Sequence, residues 1–150
     1  MKKLNFVLIS LLTLLCVACA SDKHARINDP QKIVDAVNTK YPSDKNTLVY
    51  IEAPEGFVAP GLANSAVESG IDNADVVAIT SALALKTTTV IVAGDDESLT
   101  ATTLAQALKT GKDKINGSKA VVVGSKQTQK VLADLATVSG VALEFIDNVN

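Results

Sequence analysis

The chain has 150 residues, 47% of them hydrophobic and only 3% aromatic, with a formal net charge of −2. This length is enough for one domain with a real core. A mildly acidic chain without a Lys/Arg cluster argues against nucleic acid as a partner, and against electrostatic attachment to anionic lipid.

Reading from the start, Met1-Lys2-Lys3 is a short cationic segment. Leu4 to Val17 follows as an apolar run broken only by Asn5, Ser10 and Thr13. A charged start, an apolar stretch and small residues before a cut make up a secretory signal. The run is shorter than the ~20 apolar residues that cross a ~30 Å hydrocarbon layer, so it suits export better than permanent spanning. The stretch Cys16-Val17-Ala18-Cys19 resembles the bacterial lipobox, departing from it at Cys16, where that pattern usually has Leu. The resemblance implies that Cys19 is acylated, becomes the new N-terminus and anchors the protein in the lipid bilayer. Several acyl chains hold a protein stably, at ~0.8 kcal/mol per buried methylene. Ala20 and Ser21 follow the cysteine, as in lipoproteins sorted to the outer membrane and facing the periplasm. A rival cut within Ala18-Cys19-Ala20 would instead leave a soluble protein that starts at Ser21.

Removing residues 1–18 leaves 132 residues, with 12 basic against 16 acidic side chains and a net charge of −4. Cys16 goes with the signal and Cys19 is modified. The remaining chain therefore offers no disulfide, thiol nucleophile or zinc–thiolate site. Its aromatics are Tyr41, Tyr50, Phe57 and Phe145. That scarcity weakens any case for sugar or nucleobase binding. The core has to be built from Val, Ala, Leu and Ile.

Residues 19–28 read as the lipidated cysteine and a polar tether, about 30 Å long when extended. Asp29-Pro30 starts a helix, with Asp as cap and Pro in the first turn; Ile33, Val34 and Val37 mark its apolar face. Thr47 to Glu52 is a strand, ended by Ala53-Pro54-Glu55-Gly56. Pro60 to Ser69 reads as a short helix stopped by Gly70. Asn73 to Lys86 is favoured as a helix because it is long, Ala-rich and capped by Asn73, while its first half, Asp75 to Thr80, also suits a strand. Thr88 to Ala93 is a β-branched buried strand stopped by Gly94. Ser98 caps a helix to about Thr110, with Leu99, Leu104 and Leu108 inward. Lys119 to Gly124 is another buried strand. Lys126 to Ser139 is a helix with Val131, Leu132, Leu135 and Val138 on one side and Gly140 after its end. Val141 to Ile146 is the last strand.

Strands without alternation, separated by helices, mean a parallel sheet covered on both faces. The expected fold over residues 29–150 is a single α/β domain. It is a three-layer sandwich of about four mainly parallel strands, doubly wound and Rossmann-like, preceded by the signal helix of residues 1–18.

Ligands of open parallel sheets bind outside the carboxyl ends of the strands. There the sequence places Glu52, Glu55, Asp95, Asp96, Glu97, Ser125, Lys126 and Asp147. Converging carboxylates suit a divalent cation such as Mg²⁺ or Ca²⁺. The same acids also suit helix starts and turns, where exposed N–H groups favour negative charge. Gly94 and Gly124 follow strands but belong to neither G-x-G-x-x-G nor a P-loop, and no cofactor is implied. The one histidine, His24, lies in the tether, so neither a Ser/His nor a Cys/His apparatus is available and no catalytic residue is assigned. The sequence therefore points to a membrane-anchored envelope lipoprotein, a non-catalytic interaction or assembly module with an envelope protein partner. The alternative is a small-molecule or divalent-cation binding domain on the acidic rim.

Overall fold

Branched aliphatic side chains favour extended backbone, and four runs rich in them pair as parallel strands. They are β1 (Asn46–Ile51), β2 (Thr89–Gly94), β3 (Lys119–Val123) and β4 (Ala142–Ile146). The computed structural model describes residues 29–42, 45–53 and 73–147. Cys19, the tether, Glu55 and the helix expected over 60–69 lie outside them. Between and before the strands stand α1 (Pro30–Lys40), α2 (Ala74–Ala84), α3 (Glu97–Thr110), the single turn α4 (Lys112–Ile115) and α5 (Lys126–Ser139).

The register puts Leu48, Ile91, Val121 and Glu144 in one row across the sheet, and Val49, Val92, Val122 and Phe145 in the next. Successive residues of a strand point to opposite faces, so these rows belong to opposite layers. The larger layer packs Val90, Val92, Ala120 and Val122 against Ile79 and Leu83 of α2, Leu104 and Leu108 of α3, and Leu132 of α5. The smaller layer packs Ile91, Ala93, Val121 and Val123 against Ile33 and Val37 of α1. Because β2 and β3 are covered on both sides, their sequences show no polar alternation.

The four parallel strands between helical layers agree with the expected three-layer α/β class. The winding differs from the doubly wound, Rossmann-like form. Strand order is β1-β2-β3-β4 without reversal, and α2, α3 and α5 all lie on one face. Right-handed crossovers that always step in the same direction produce this arrangement. Among the described residues the opposite face is covered by α1. A β-strand pattern records burial on both faces but not the direction in which the next strand is added.

Each helix has a local reason to begin where it does. The Asp29 side chain accepts from Gln31 N at 2.9 Å, with Pro30 in the first turn. Asn73 accepts from Asp75 N at 2.8 Å, and the helix reading of 73–86 agrees with α2. For α3 the cap is Asp96, which accepts from Leu99 N at 2.7 Å, and not Ser98 as the sequence suggested. Gly140 ends α5 with φ of 68°, a left-handed conformation that glycine adopts at little cost.

The end of α2 is handled differently. Lys86 sits at φ of 57° and donates its N–H to Leu83 O at 3.1 Å, the place where a helix usually has glycine.

Two of the apolar positions expected inward on α5 are not. Val131 is 60% exposed and Val138 63%. The buried stripe instead runs Thr128, Leu132, Ala136, Ser139. Its small residues let α5 approach the sheet closely, and the valines on the adjoining stripe are left outside.

A polar cluster fastens the C-terminal end of α1. The Tyr41 hydroxyl donates to Glu144 Oε2, and Lys119 Nζ lies 2.8 Å from Glu144 Oε1. The Lys119 ammonium also stands 4.9 Å from the centre of the Tyr41 ring, within cation–π range. Lys40 Nζ donates to Phe145 O at 3.3 Å.

The hydrogen bond from Lys119 first, and that from Tyr41 second, hold the Glu144 carboxyl below its usual pKa. A lowered folded-state pKa stabilises the fold above the unfolded value, and that contribution is lost as pH falls through the folded one. Glu144→Gln should therefore unfold at lower urea than the native chain at neutral pH. The gap should close on acidification below the ordinary carboxylate range, as read from denaturation midpoints across pH. Separately, Lys86→Gly should raise stability by about 0.5–1 kcal/mol, since glycine accepts positive φ without strain.

Candidate functional site

All three long crossover helices run back against the strands they connect, so their amino ends gather at the carboxyl edge of the sheet. This edge carries the acidic residues singled out from the sequence, and the structure gives most of them bonds inside the fold. Asp95 follows β2. Its Oδ1 accepts from the Tyr50 hydroxyl at 2.7 Å and its Oδ2 from Ala53 N at 3.2 Å, so it ties the end of β1 to the end of β2. Asp96 caps α3, and its carbonyl accepts from the Thr100 hydroxyl at 2.7 Å. Before it, Gly94 is closely surrounded: a Cβ there would stand 2.5 Å from Ile51 O and collide with the Thr100 side chain.

Glu97 has the most specific role. Ser125 precedes α5 but its own side chain makes no capping bond. Instead Glu97 Oε1 accepts from Ser125 N at 2.8 Å and from the Thr128 hydroxyl. A carboxylate from the start of one helix thus caps the start of the next. The positive end of the α5 dipole faces this carboxylate alongside its hydrogen bonds. Thr128 is buried, so removing its acceptor would leave a hydroxyl without water to replace it.

The remaining members are less engaged in the fold. Glu52 and Asp147 are exposed at the ends of β1 and β4, and Lys126 is exposed in the first turn of α5. Burial, and secondarily the charge of Glu52, pushes the Asp75 carboxyl above its usual pKa. Ionised Asp75 therefore opposes folding above that raised value, and the opposition is relieved as pH falls. Glu55 and Cys19 lie outside the described residues. Among the described residues no three His, Cys, Asp or Glu side chains are grouped so as to hold a metal ion. The unreversed strand order also gives these strands no switch point, the place where a parallel sheet opens a crevice for ligands.

The sequence reading missed a groove on the outer face of the larger layer, between α3 and α5. Its volume is about 520 Å³; Ala101, Ala105, Val131 and Leu135 form its floor and sides, with Glu97 at one end and Lys109 at the other. It arises because the outward positions of α3 are Ser98, Ala101, Thr102 and Ala105, too short to fill the space between neighbouring helices. The Ala/Thr-rich sequence of α3 was the available signal.

No helix among the described residues is long and apolar enough to cross a membrane. Comparisons with protein-family models, with curated proteins and with solved structures found no match.

A charged acceptor shared by two donors is worth about 1.5–3 kcal/mol. Glu97→Ala should thus lower unfolding free energy by about 2 kcal/mol in urea titrations. Lys126→Ala, at an exposed neighbouring position, should stay within about 0.5 kcal/mol of the native chain.

Proposed function

We propose that the protein is a membrane-anchored envelope lipoprotein acting as a non-catalytic interaction or assembly module. The observation that carries this reading is the export signal that runs directly into Cys19 through Cys16-Val17-Ala18. On this reading Cys19 is acylated and becomes the N-terminus, residues 20–28 are the tether, and the folded part projects into the periplasm from the outer membrane. Support also comes from the use made of the rim: Asp95, Asp96 and Glu97 accept hydrogen bonds that hold strand and helix ends together. Carboxylates committed in this way are poorly placed to exchange those donors for a substrate or a cation. The partner on this reading is a protein of a larger envelope complex.

Mass spectrometry of the mature N-terminus should find an acylated Cys19, and Cys19→Ala should move the protein from the membrane fraction to the soluble one. Unchanged fractionation, or an N-terminus at Ser21, would reject the anchor. Mg²⁺ or Ca²⁺ at millimolar concentration should leave the melting temperature unmoved; a rise abolished by Asp95→Asn with Asp96→Asn would favour cation binding instead.

A further inference from the structure

The winding sorts charge. Each helix runs against the strands, so every helix-to-strand connection falls at the amino edge of the sheet. Lys45, Lys86, Lys112 and Lys114 lie in those connections, and Lys109 in the last turn of α3. Asp113 is the one acid in these connections among the described residues. Asp29, Glu52, Asp75, Asp95, Asp96 and Glu97 lie at the opposite edge, one strand length or ~20 Å away. Lys45 and Lys86, distant in sequence, join the closely spaced Lys109, Lys112 and Lys114 at one basic edge in the fold.

Helix dipoles account for only part of this separation. They favour Lys109, inside the last turn of its helix. Lys86 is a different matter: its left-handed backbone, φ of 57°, favours glycine, yet the chain has lysine. Next to it Leu85 is 65% exposed. The turn α4 packs against α2, with Gly111 seated on Thr80, which brings Lys112 and Lys114 to the same end of the molecule as Leu85 and Lys86. An apolar side chain beside several cations has the composition of an interface with a hydrophobic anchor and a polar rim.

The described chain enters the fold at the edge opposite these lysines. Asn46 at the start of β1 donates its side-chain N–H to Tyr41 O at 3.0 Å, so the end of α1 lies at the amino edge and its start, Asp29, toward the acidic edge. On the anchor reading the tether joins the fold at Asp29, on the edge opposite these lysines. Lysines are compact point charges, and no Arg or Trp stands among the described residues, which leaves the edge poorly equipped to stack bases or grip phosphates in bidentate fashion.

We propose that this edge, Leu85 with Lys86, Lys109, Lys112 and Lys114, is the docking surface for an acidic segment of a partner protein carrying an apolar anchor residue. The inference rests on the interaction-module reading and names its partner's chemistry. The test uses full-length protein in detergent micelles and a fluorescent Glu-rich peptide with one central Leu, followed by anisotropy. The peptide should bind, weaken with added salt as exposed charge pairs do, and exceed its Gln-for-Glu counterpart. Lys86→Glu with Lys112→Glu should weaken binding at least about tenfold, while Lys126→Glu at the other edge should not.

Lys86→Gly separates folding from docking, because it should raise the melting temperature and still weaken the peptide. Equal binding by the charge-reversed protein, or no binding by the native one, would overturn the proposal. Tighter binding through the same lysines to phosphatidylglycerol vesicles or to duplex DNA would also overturn it, replacing the partner by lipid or nucleic acid. Unchanged fractionation of Cys19→Ala alongside lysine-dependent peptide binding would reject the anchor and leave this surface standing.

Discussion

Parallel strands added one after another in the same direction impose one condition on everything else in this fold. Each strand has to be re-entered from the same edge, so α2, α3 and α5 return along one face and start from one rim. The exposed N–H groups of three helices therefore crowd together at the carboxyl edge, where they need acceptors. Asn73, Asp96 and Glu97 supply them, and Asp95 joins the strand ends between. Of the carboxylates at this edge, Asp95, Asp96 and Glu97 fasten strand and helix ends to one another, bond by bond.

Among the described residues the same condition leaves the second face of the sheet without crossover helices. The buried residues Ile91, Val121 and Val123 on that face require a cover, and α1 provides it from outside the βαβ succession. Its two fully buried side chains, Ile33 and Val37, stand four residues apart on one stripe, enough to cover the central strands. Its far end relies on polar contacts through Tyr41, Lys40 and Lys119. Of the described helices α1 alone lies on this side, and the outer strands β1 and β4 are largely half-buried.

Secondary structure and layer class were legible because both rest on local pattern. Four apolar runs became β1 to β4 within a residue or two at each end, and Asp29-Pro30, Asn73 and Gly140 served as the helix signals their chemistry suggests. Three features were not legible, each for a reason of tertiary origin. Hydrophobicity alone points Val131 and Val138 inward, whereas the buried stripe is Thr128, Leu132, Ala136 and Ser139. Strand order depends on which neighbour a crossover reaches, and burial on two faces is silent about that. Of the site, the acidic rim was readable as a set of positions. Its engagement was not, since the Glu97 carboxylate reaches a helix 28 residues further on, and the basic edge exists only once the helix ends are brought together.

The position of α1 also has a mechanical meaning. Any load on the chain ahead of Asp29 enters the fold at the first turn of this helix, which lies over the sheet with no strand of its own. Tension there acts on the Asp29–Gln31 cap and then on Ile33 and Val37 in turn, peeling the helix from its start, with the Tyr41–Glu144–Lys119 cluster as the last attachment to part. The sheet and its three crossover helices lie beyond that line of force. Pulling would thus strip one layer and bare Ile91 and Val121, leaving the order of the strands intact.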